Sequence, residues 1–340
     1  MAQPKRVGYA VIGLGHIAER AVLPAFRHAK KSRLVALVSG DPAKARRLAR
    51  KFRAPQYFTY DHFEECLGNP EVEAVYIATN NSTHLVFTRR AAEAGKHVLC
   101  EKPLANTSEE CRQMVEACRR SKVRLMTAYR KFFEPATVDL KRLIVSRKLG
   151  PLKLIHSAFT FHLPDDPAWH LRRELAGGGS LWDVGVYCIN TIRWLTGQEP
   201  LEASAYSWTS DPARFREVEE SIAFQLKFPA GLYVQASSSF AAAKASFLQI
   251  HADKGWAVLC PAFAYNEPRR LSGRTGAQWF DKTYKPVEEF HLELDYLAAC
   301  IRSNRDPEPD GVTGMRDVAI MESIYEAATS GHPVSITLPT

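Results

Sequence analysis

Val7-Gly8-Tyr9-Ala10-Val11-Ile12-Gly13-Leu14-Gly15-His16-Ile17-Ala18 is the stretch that decides the fold of this chain. A short run of β-forming residues meets two glycines one residue apart, and a helical pattern begins at once. That order is the strand–turn–helix of a dinucleotide fingerprint in its G-x-G-x-x-A form. Gly13 permits the tight turn, Gly15 lets a pyrophosphate approach bare backbone, and Ala18 allows helix and strand to pack closely. The N–H groups of His16 and Ile17, at the helix N-terminus, are then the expected phosphate donors.

The pattern continues outward from this stretch. Apolar runs at 7–12, 34–38, 74–78, 97–99 and 123–127 alternate with amphipathic stretches such as 42–52 and 83–94. This is the βαβ signature. Thr107-Ser108-Glu109-Glu110 reads as a capping box opening a helix up to Arg120. Residues 1–128 are therefore expected to form a doubly wound Rossmann domain of α/β class.

From residue 129 the periodicity changes. Ser221 to Phe228 alternates at period two, Pro229-Ala230-Gly231 turns, and residues 232–240 complete a hairpin. Further strands are expected at 152–161, 247–252 and 257–259. Phe290, Leu294, Leu297 and Ile301 mark one late helix, and Val318, Met321, Tyr325 and Ala328 another. Residues 129–340 thus read as an α+β domain with an open, largely antiparallel sheet, whose C-terminal helix packs back on the first domain.

Composition narrows the function. At 340 residues, with 46% hydrophobic and 24% charged residues, the chain has the make-up of a globular protein of two domains. No apolar run of about 18 residues suggests a membrane span, and no apolar leader precedes the first strand, so a cytoplasmic location is expected. Seven cysteines are scattered without CxxC or metal-like spacing, so neither a metal site nor a disulfide framework is expected. Cys111 and Cys118 share a helical face with Met114 and Val115 and read as core. The net charge of +8 is concentrated in local runs, with no nucleic-acid-binding motif, and suits an anionic cofactor or substrate.

The next strand chooses the cofactor. An NAD site usually places an acid at its end, on the ribose hydroxyls. Here Ser39-Gly40-Asp41-Pro42-Ala43-Lys44 stands there, with Arg46 and Arg47 following. A hydroxyl and a lysine suit a 2′-phosphate, so NADP is expected, with NAD as the alternative. Asp41 before Pro42 doubles as a helix-opening pair. Further along, Glu101-Lys102-Pro103 ends the stretch 97–100, where ligands bind in open α/β sheets. A lysine there can bond a substrate hydroxyl and the nicotinamide ribose together. Then Gly177-Gly178-Gly179-Ser180-Leu181-Trp182-Asp183-Val184-Gly185-Val186-Tyr187 places a carboxylate and a phenol four apart on one helical face. The glycines before them are expected to let backbone and ligand approach closely.

Taken together, strand-GxGxxA, Glu-Lys-Pro and GGGxLxDxGxY resemble the Gfo/Idh/MocA oxidoreductase family over nearly the whole chain. Most members carry His where this chain has Tyr187. The tyrosine form is similar to the glucose–fructose oxidoreductase branch, as are Val38-Ser39-Gly40, Tyr129-Arg130, residues 169–186 and Gly314-Met315-Arg316-Asp317-Val318. The resemblance implies a substrate pocket between two domains and homodimers or homotetramers formed through the open sheet. It implies that Lys102, Asp183 and Tyr187 are the catalytic-site residues, with Tyr187 transferring the proton. It also implies that Ser39 and Lys44 hold a 2′-phosphate, and that Tyr129, Arg130, Trp169 and Arg172 line the cofactor and sugar pocket. The resemblance further implies that Asn81 faces the nicotinamide side, although Asn80 replaces the family's usual proline. His84 and Glu101 fall in the same cofactor-side segments, His84 as a capping or packing residue rather than a catalyst.

A phenol with its ordinary pKa near 10 is a poor base at neutral pH, and a cation such as Lys102 nearby would lower it. Tyr187 could then take a proton from a sugar hydroxyl as hydride leaves the same carbon. The expected activity is NADP-dependent oxidation of an aldose at C1, glucose- or xylose-like, with a cofactor that exchanges with solvent. A reductase of a keto-sugar or nucleotide-linked sugar, and a non-catalytic dinucleotide-binding regulator, are the alternatives. The sugar, the physiological direction and the choice of dimer or tetramer are not readable from the sequence.

Overall fold

The computed structural model describes residues 5–164 and 168–340; the opening Met1–Pro4, counted above in the lead-in to the first strand, lies outside them. Their strands form two sheets in two compact units. The first unit comprises residues up to Arg130 together with Phe290–Met315, and the second comprises Lys131–Glu289 with Arg316–Thr340.

The first unit is built on six parallel strands: β1 (Val7–Ile12), β2 (Ser32–Val38), β3 (Gln56–Phe58), β4 (Ala74–Ile77), β5 (His97–Glu101) and β6 (Leu125–Ala128). Their spatial order, β3-β2-β1-β4-β5-β6, reverses direction between β1 and β4. This is the doubly wound Rossmann arrangement, with its switch point beside the glycine turn. Every residue of β1 and β4 is buried, as strands covered on both faces must be. β3 was not legible in the sequence because its three residues are partly exposed and carry no periodicity.

Thr107 opens the helix Ser108–Arg120 with the expected capping box. Cys111, Cys118, Met114 and Val115 form its buried face. The helix Phe290–Ser303 belongs to this unit although it lies far along the chain. Tyr9, buried in β1, donates its hydroxyl to the Leu294 carbonyl at 3.0 Å, and Arg302 grips Glu73 at 2.6 and 2.8 Å. The domain boundary expected at 128/129 thus lies at 130/131, and the chain returns to the first unit at Phe290 because that helix carries the partners of Tyr9 and Glu73.

The second unit holds β7 (Leu152–Thr160), β8 (Glu202–Trp208), β9 (Ser221–Lys227), β10 (Tyr233–Ser239), β11 (Ala245–Ala252), β12 (Gly255–Cys260), β13 (Arg269–Thr275), β14 (Gln278–Tyr284) and β15 (Val334–Ser335). They run β14-β13-β12-β11-β7-β10-β9-β8-β15, antiparallel except for the β7–β10 pair. The β9–β10 hairpin turns where expected, with Ala230 and Gly231 both at positive φ. β8, β13 and β14 were not foreseen. β8 and β14 are partly or largely exposed, and β13 buries Arg269, Leu271 and Gly273 in alternation but builds that face with an arginine and a glycine, which no apolar pattern marks. Among the described residues no helix is long and apolar enough to cross a membrane.

Candidate active site

The carboxyl edge of the first sheet collects the expected cofactor residues. Gly13 follows β1 with φ of 84°, and a Cβ there would lie 2.5 Å from the Ala78 carbonyl oxygen. Only glycine fits that turn. Gly13 N–H donates to Val38 and Ala78 N–H to Ile12, at 3.0 and 2.7 Å, which lock the ends of three neighbouring strands. The helix over residues 16–25 starts at His16 and Ile17, whose N–H groups fall in its first turn, where no intrahelical acceptor exists. Gly15 is exposed, and a Cβ on it would meet nothing within 4 Å. Open space over bare backbone at a helix N-terminus is the condition a pyrophosphate needs, so these residues fit a dinucleotide. The same helix widens into a π turn over Ala18–Val22, ahead of Pro24. A proline lacks the N–H and crowds the carbonyl four residues back, and the wider turn accommodates both.

Backbone donors are already engaged in the loop after β2. Ser39 N–H donates to Phe58, Asp41 N–H to the Ser39 hydroxyl at 3.1 Å, and Lys44 N–H to the Asp41 carboxylate at 2.9 Å. Asp41 therefore caps the helix Pro42–Phe52. The Gly40 backbone bonds the Tyr60 hydroxyl, and the Tyr60 ring would lie 3.1 Å from a Cβ on Gly40. An anion here must be met by side chains: the Ser39 hydroxyl proton, Lys44 and Arg46. Arg47 instead pairs with Glu19 at 3.2 Å and holds that carboxyl below its ordinary range.

After β4, Asn80 stands where the family motif has proline and keeps φ at −71°, a proline-like value. Its side-chain oxygen accepts the Ser82 and Thr83 hydroxyls, both at 3.1 Å, which fix the turn. Asn81 is buried beside it. His84 exposes no surface. Its ring nitrogens face the carbonyls of Leu104 and Thr79 at 3.1 and 3.3 Å, and burial pushes its pKa down to about 4. It therefore packs as a neutral residue between the β4 loop and the segment after Lys102, its single N–H donating to one of the two carbonyls. Glu101 is buried at the end of β5 and takes the Tyr76 hydroxyl at 2.7 Å. Burial raises its carboxyl, against the opposing pull of Lys102. Lys102 is half-buried and joined to Pro103 by a cis peptide. Tyr129 and Arg130 follow β6, both buried, with the Arg130 guanidinium 5.9 Å from the Phe290 ring centre.

The second unit carries the other expected residues. The Trp169 and His170 rings lie 3.8 Å apart at a tilt of 32°, and Arg172 is exposed and paired with Glu174 at 3.3 Å. Asp183 lies in a π turn, Leu181–Gly185, rather than in the expected α-helix, and Tyr187 is the second residue of the α-helix Val186–Thr196. Asp183 is half-buried, while the Tyr187 ring packs against Phe159 and Phe263 at 5.7 and 6.0 Å.

The glycines before them admit close approach by the chain itself. A Cβ on Gly178 would fall 2.3 Å from the Tyr325 hydroxyl, and one on Gly179 would fall 2.0 Å from the Glu219 carbonyl oxygen. They make room for the Tyr325 hydroxyl and the Glu219 backbone. Glu219 and Tyr325 escaped the sequence reading because nothing local links them to this turn.

Two family models match. Residues 7–129 fit the oxidoreductase family with NAD-binding Rossmann fold, and residues 137–258 fit the GFO/IDH/MocA C-terminal domain. D-xylose 1-dehydrogenase [NADP(+)] of Haloarcula marismortui is 31% identical over 97% of this chain and 93% of its own length. The 1,5-anhydro-D-fructose reductase of Ensifer adhaerens is 28% identical over 96% and 98%. The crystal structure of aldose-aldose oxidoreductase from Caulobacter crescentus, complexed with glycerol, matches with a TM-score of 0.94 at 37% identity, covering 98% of this chain and 100% of that one. The fingerprint turn, the Glu-Lys-Pro strand end and the Asp183–Tyr187 helix stand on the two matched domains, and the chain belongs to the Gfo/Idh/MocA oxidoreductase family.

Proposed function

We propose that this protein is an NADP-dependent oxidoreductase that moves hydride between nicotinamide and a sugar carbon, aldose C1 in the first instance, with Tyr187 as acid and base. The observation that carries the reading is the phenol of Tyr187 one turn beyond the Asp183 carboxylate, on a helix preceded by glycines. Ser39 and Lys44, together with the NADP named for the xylose dehydrogenase, support the choice of cofactor. Gly13, Gly15, His16 and Ile17 would hold the pyrophosphate, and bound NADP would supply the hydride acceptor.

Tyr187 takes the proton of the sugar's C1 hydroxyl as the carbon–hydrogen bond breaks. The Lys102 ammonium donates to the same oxygen and stabilises its developing charge. Asp183 accepts from a neighbouring hydroxyl and orients the ring. The products are a lactone, the reduced cofactor and one proton.

The first test is absorbance at 340 nm with NADP and D-xylose or D-glucose, comparing the native protein with Tyr187→Phe. We expect a loss of at least about a hundredfold in kcat in the variant. A native rate would remove Tyr187 as the base. A second reading draws on the 37%-identical aldose-aldose oxidoreductase: one aldose reduced at the expense of another, the cofactor staying bound. Conversion of paired sugars without free NADPH would favour it. Assembly through the nine-stranded sheet, which exposes Tyr206 and Trp279, is part of the proposal, and a monomer by light scattering would refute it.

A further inference from the structure

The start of the helix that carries Asp183 and Tyr187 is held by groups remote in sequence. One oxygen of the Glu219 carboxylate accepts the Gly179 N–H at 2.9 Å, and the other accepts the Leu181 N–H at 2.8 Å. The Tyr325 hydroxyl donates to the same carboxylate and accepts from Gly179 N–H at 3.1 Å. The Tyr325 ring stacks on Trp182 at 4.7 Å, and the Arg173 guanidinium lies over the Tyr325 ring, 5.2 Å from its centre. Two residues earlier, Glu217 accepts the Arg173 N–H at 3.0 Å. Glu220, next in the chain, is anchored by the Ser210 hydroxyl and the N–H groups of Ser210 and Asp211. The carboxylate therefore sits on a fixed base, at the end of a helix where the macrodipole favours an anion.

What it fixes is the pitch of the first turn. Leu181 begins the π turn, and the Val186 N–H reaches back to the Leu181 carbonyl, five residues away. A π turn holds one residue more than an α turn. Its collapse would rotate everything beyond it by about 100° relative to Gly179. Tyr187 is the second residue beyond the turn. The far half of the helix is pinned separately, with Asn190 donating to Asp317 at 2.7 Å and Arg193 paired to the same carboxylate.

We propose that Glu219, clamped by Tyr325, is a positioning residue that holds this π turn open and so sets the direction in which Asp183 and Tyr187 point. It touches neither reacting atoms nor cofactor in this role. The proposal rests on the reading of Tyr187 as acid and base.

The test uses the full chain with D-xylose and NADP, in Glu219→Gln and in the milder Tyr325→Phe, which keeps the ring stack. Glutamine can accept only one of the two N–H groups. For Glu219→Gln we expect kcat to fall ten- to a hundredfold, NADP binding to stay within twofold, and the pH profile of kcat/KM to shift. Tyr325→Phe should lose three- to tenfold. Hydrogen–deuterium exchange should quicken at residues 179–187 and nowhere else.

Native kcat and native exchange in both variants would overturn the proposal. So would faster exchange across the whole second unit with an unchanged rate per folded molecule, which marks a purely stabilising residue. A slowed Tyr187→Phe beside a native Glu219→Gln sinks the clamp alone. A native Tyr187→Phe sinks the acid–base reading, and the exchange data then judge the clamp by themselves.

Discussion

Ser39 accepts from the Asp41 N–H and keeps its own hydroxyl proton to donate, at a position where an acid would select NAD. Ser39→Asp should therefore set a carboxylate against the 2′-phosphate. We expect the KM for NADP to rise at least about tenfold while that for NAD falls, read from initial rates with each cofactor. His84 leads to a second expectation, about acid. Burial holds its pKa at about 4, and His97, half-buried and beside Arg124, is held at about 4 as well. Both titrate near 6.5 when unfolded. Between those values the unfolded chain binds protons that the folded chain does not, so stability is complete above about pH 6.5 and drains as pH falls toward 4. Urea unfolding from pH 6.5 to 4.5 should show a slope approaching two protons, and His84→Gln should remove about one of them. An unchanged slope would mean that His84 is not neutral in the fold.

At the scale of elements, the two glycine sites make opposite predictions. Gly179→Ala drives a methyl into the Glu219 backbone and should cost about 2 kcal/mol or more in chemical denaturation. Gly15→Ala meets nothing, so stability should hold within about 0.5 kcal/mol while NADP affinity drops. Here the division between what the sequence declares and what it withholds becomes physical. Gly13, the Thr107 capping box and the Asp41 cap are recognisable because each is settled within a few residues by backbone conformation. The reason for Gly178 and Gly179 is not, because Glu219 and Tyr325 arrive from 40 and 146 residues away. The π turn was missed likewise: its composition suits an α-helix, and the contacts that widen it are long-range. Strand order in the second sheet, with β7 parallel to β10 amid antiparallel neighbours, also depends on pairings that no local pattern encodes.

For the molecule as a whole, the alternating strands and helices of the first half announced the doubly wound sheet, yet not the helix that completes it. The first unit takes Phe290–Met315 from the end of the chain. Residues 5–130 made alone would leave Tyr9 without the Leu294 carbonyl and Glu73 without Arg302. We expect that fragment to show no cooperative melting by calorimetry, and joining 290–315 to it by a short linker to restore the transition. A sharp transition in the bare fragment would show the late helix to be dispensable. The interleaving also has a consequence in time. A ribosome adding about 5–20 residues per second needs roughly 8–30 s to make residues 131–289. Throughout that interval the nascent nucleotide-binding sheet waits in the cell with one flank bare, so chaperones have their opportunity during synthesis, before the last segment emerges.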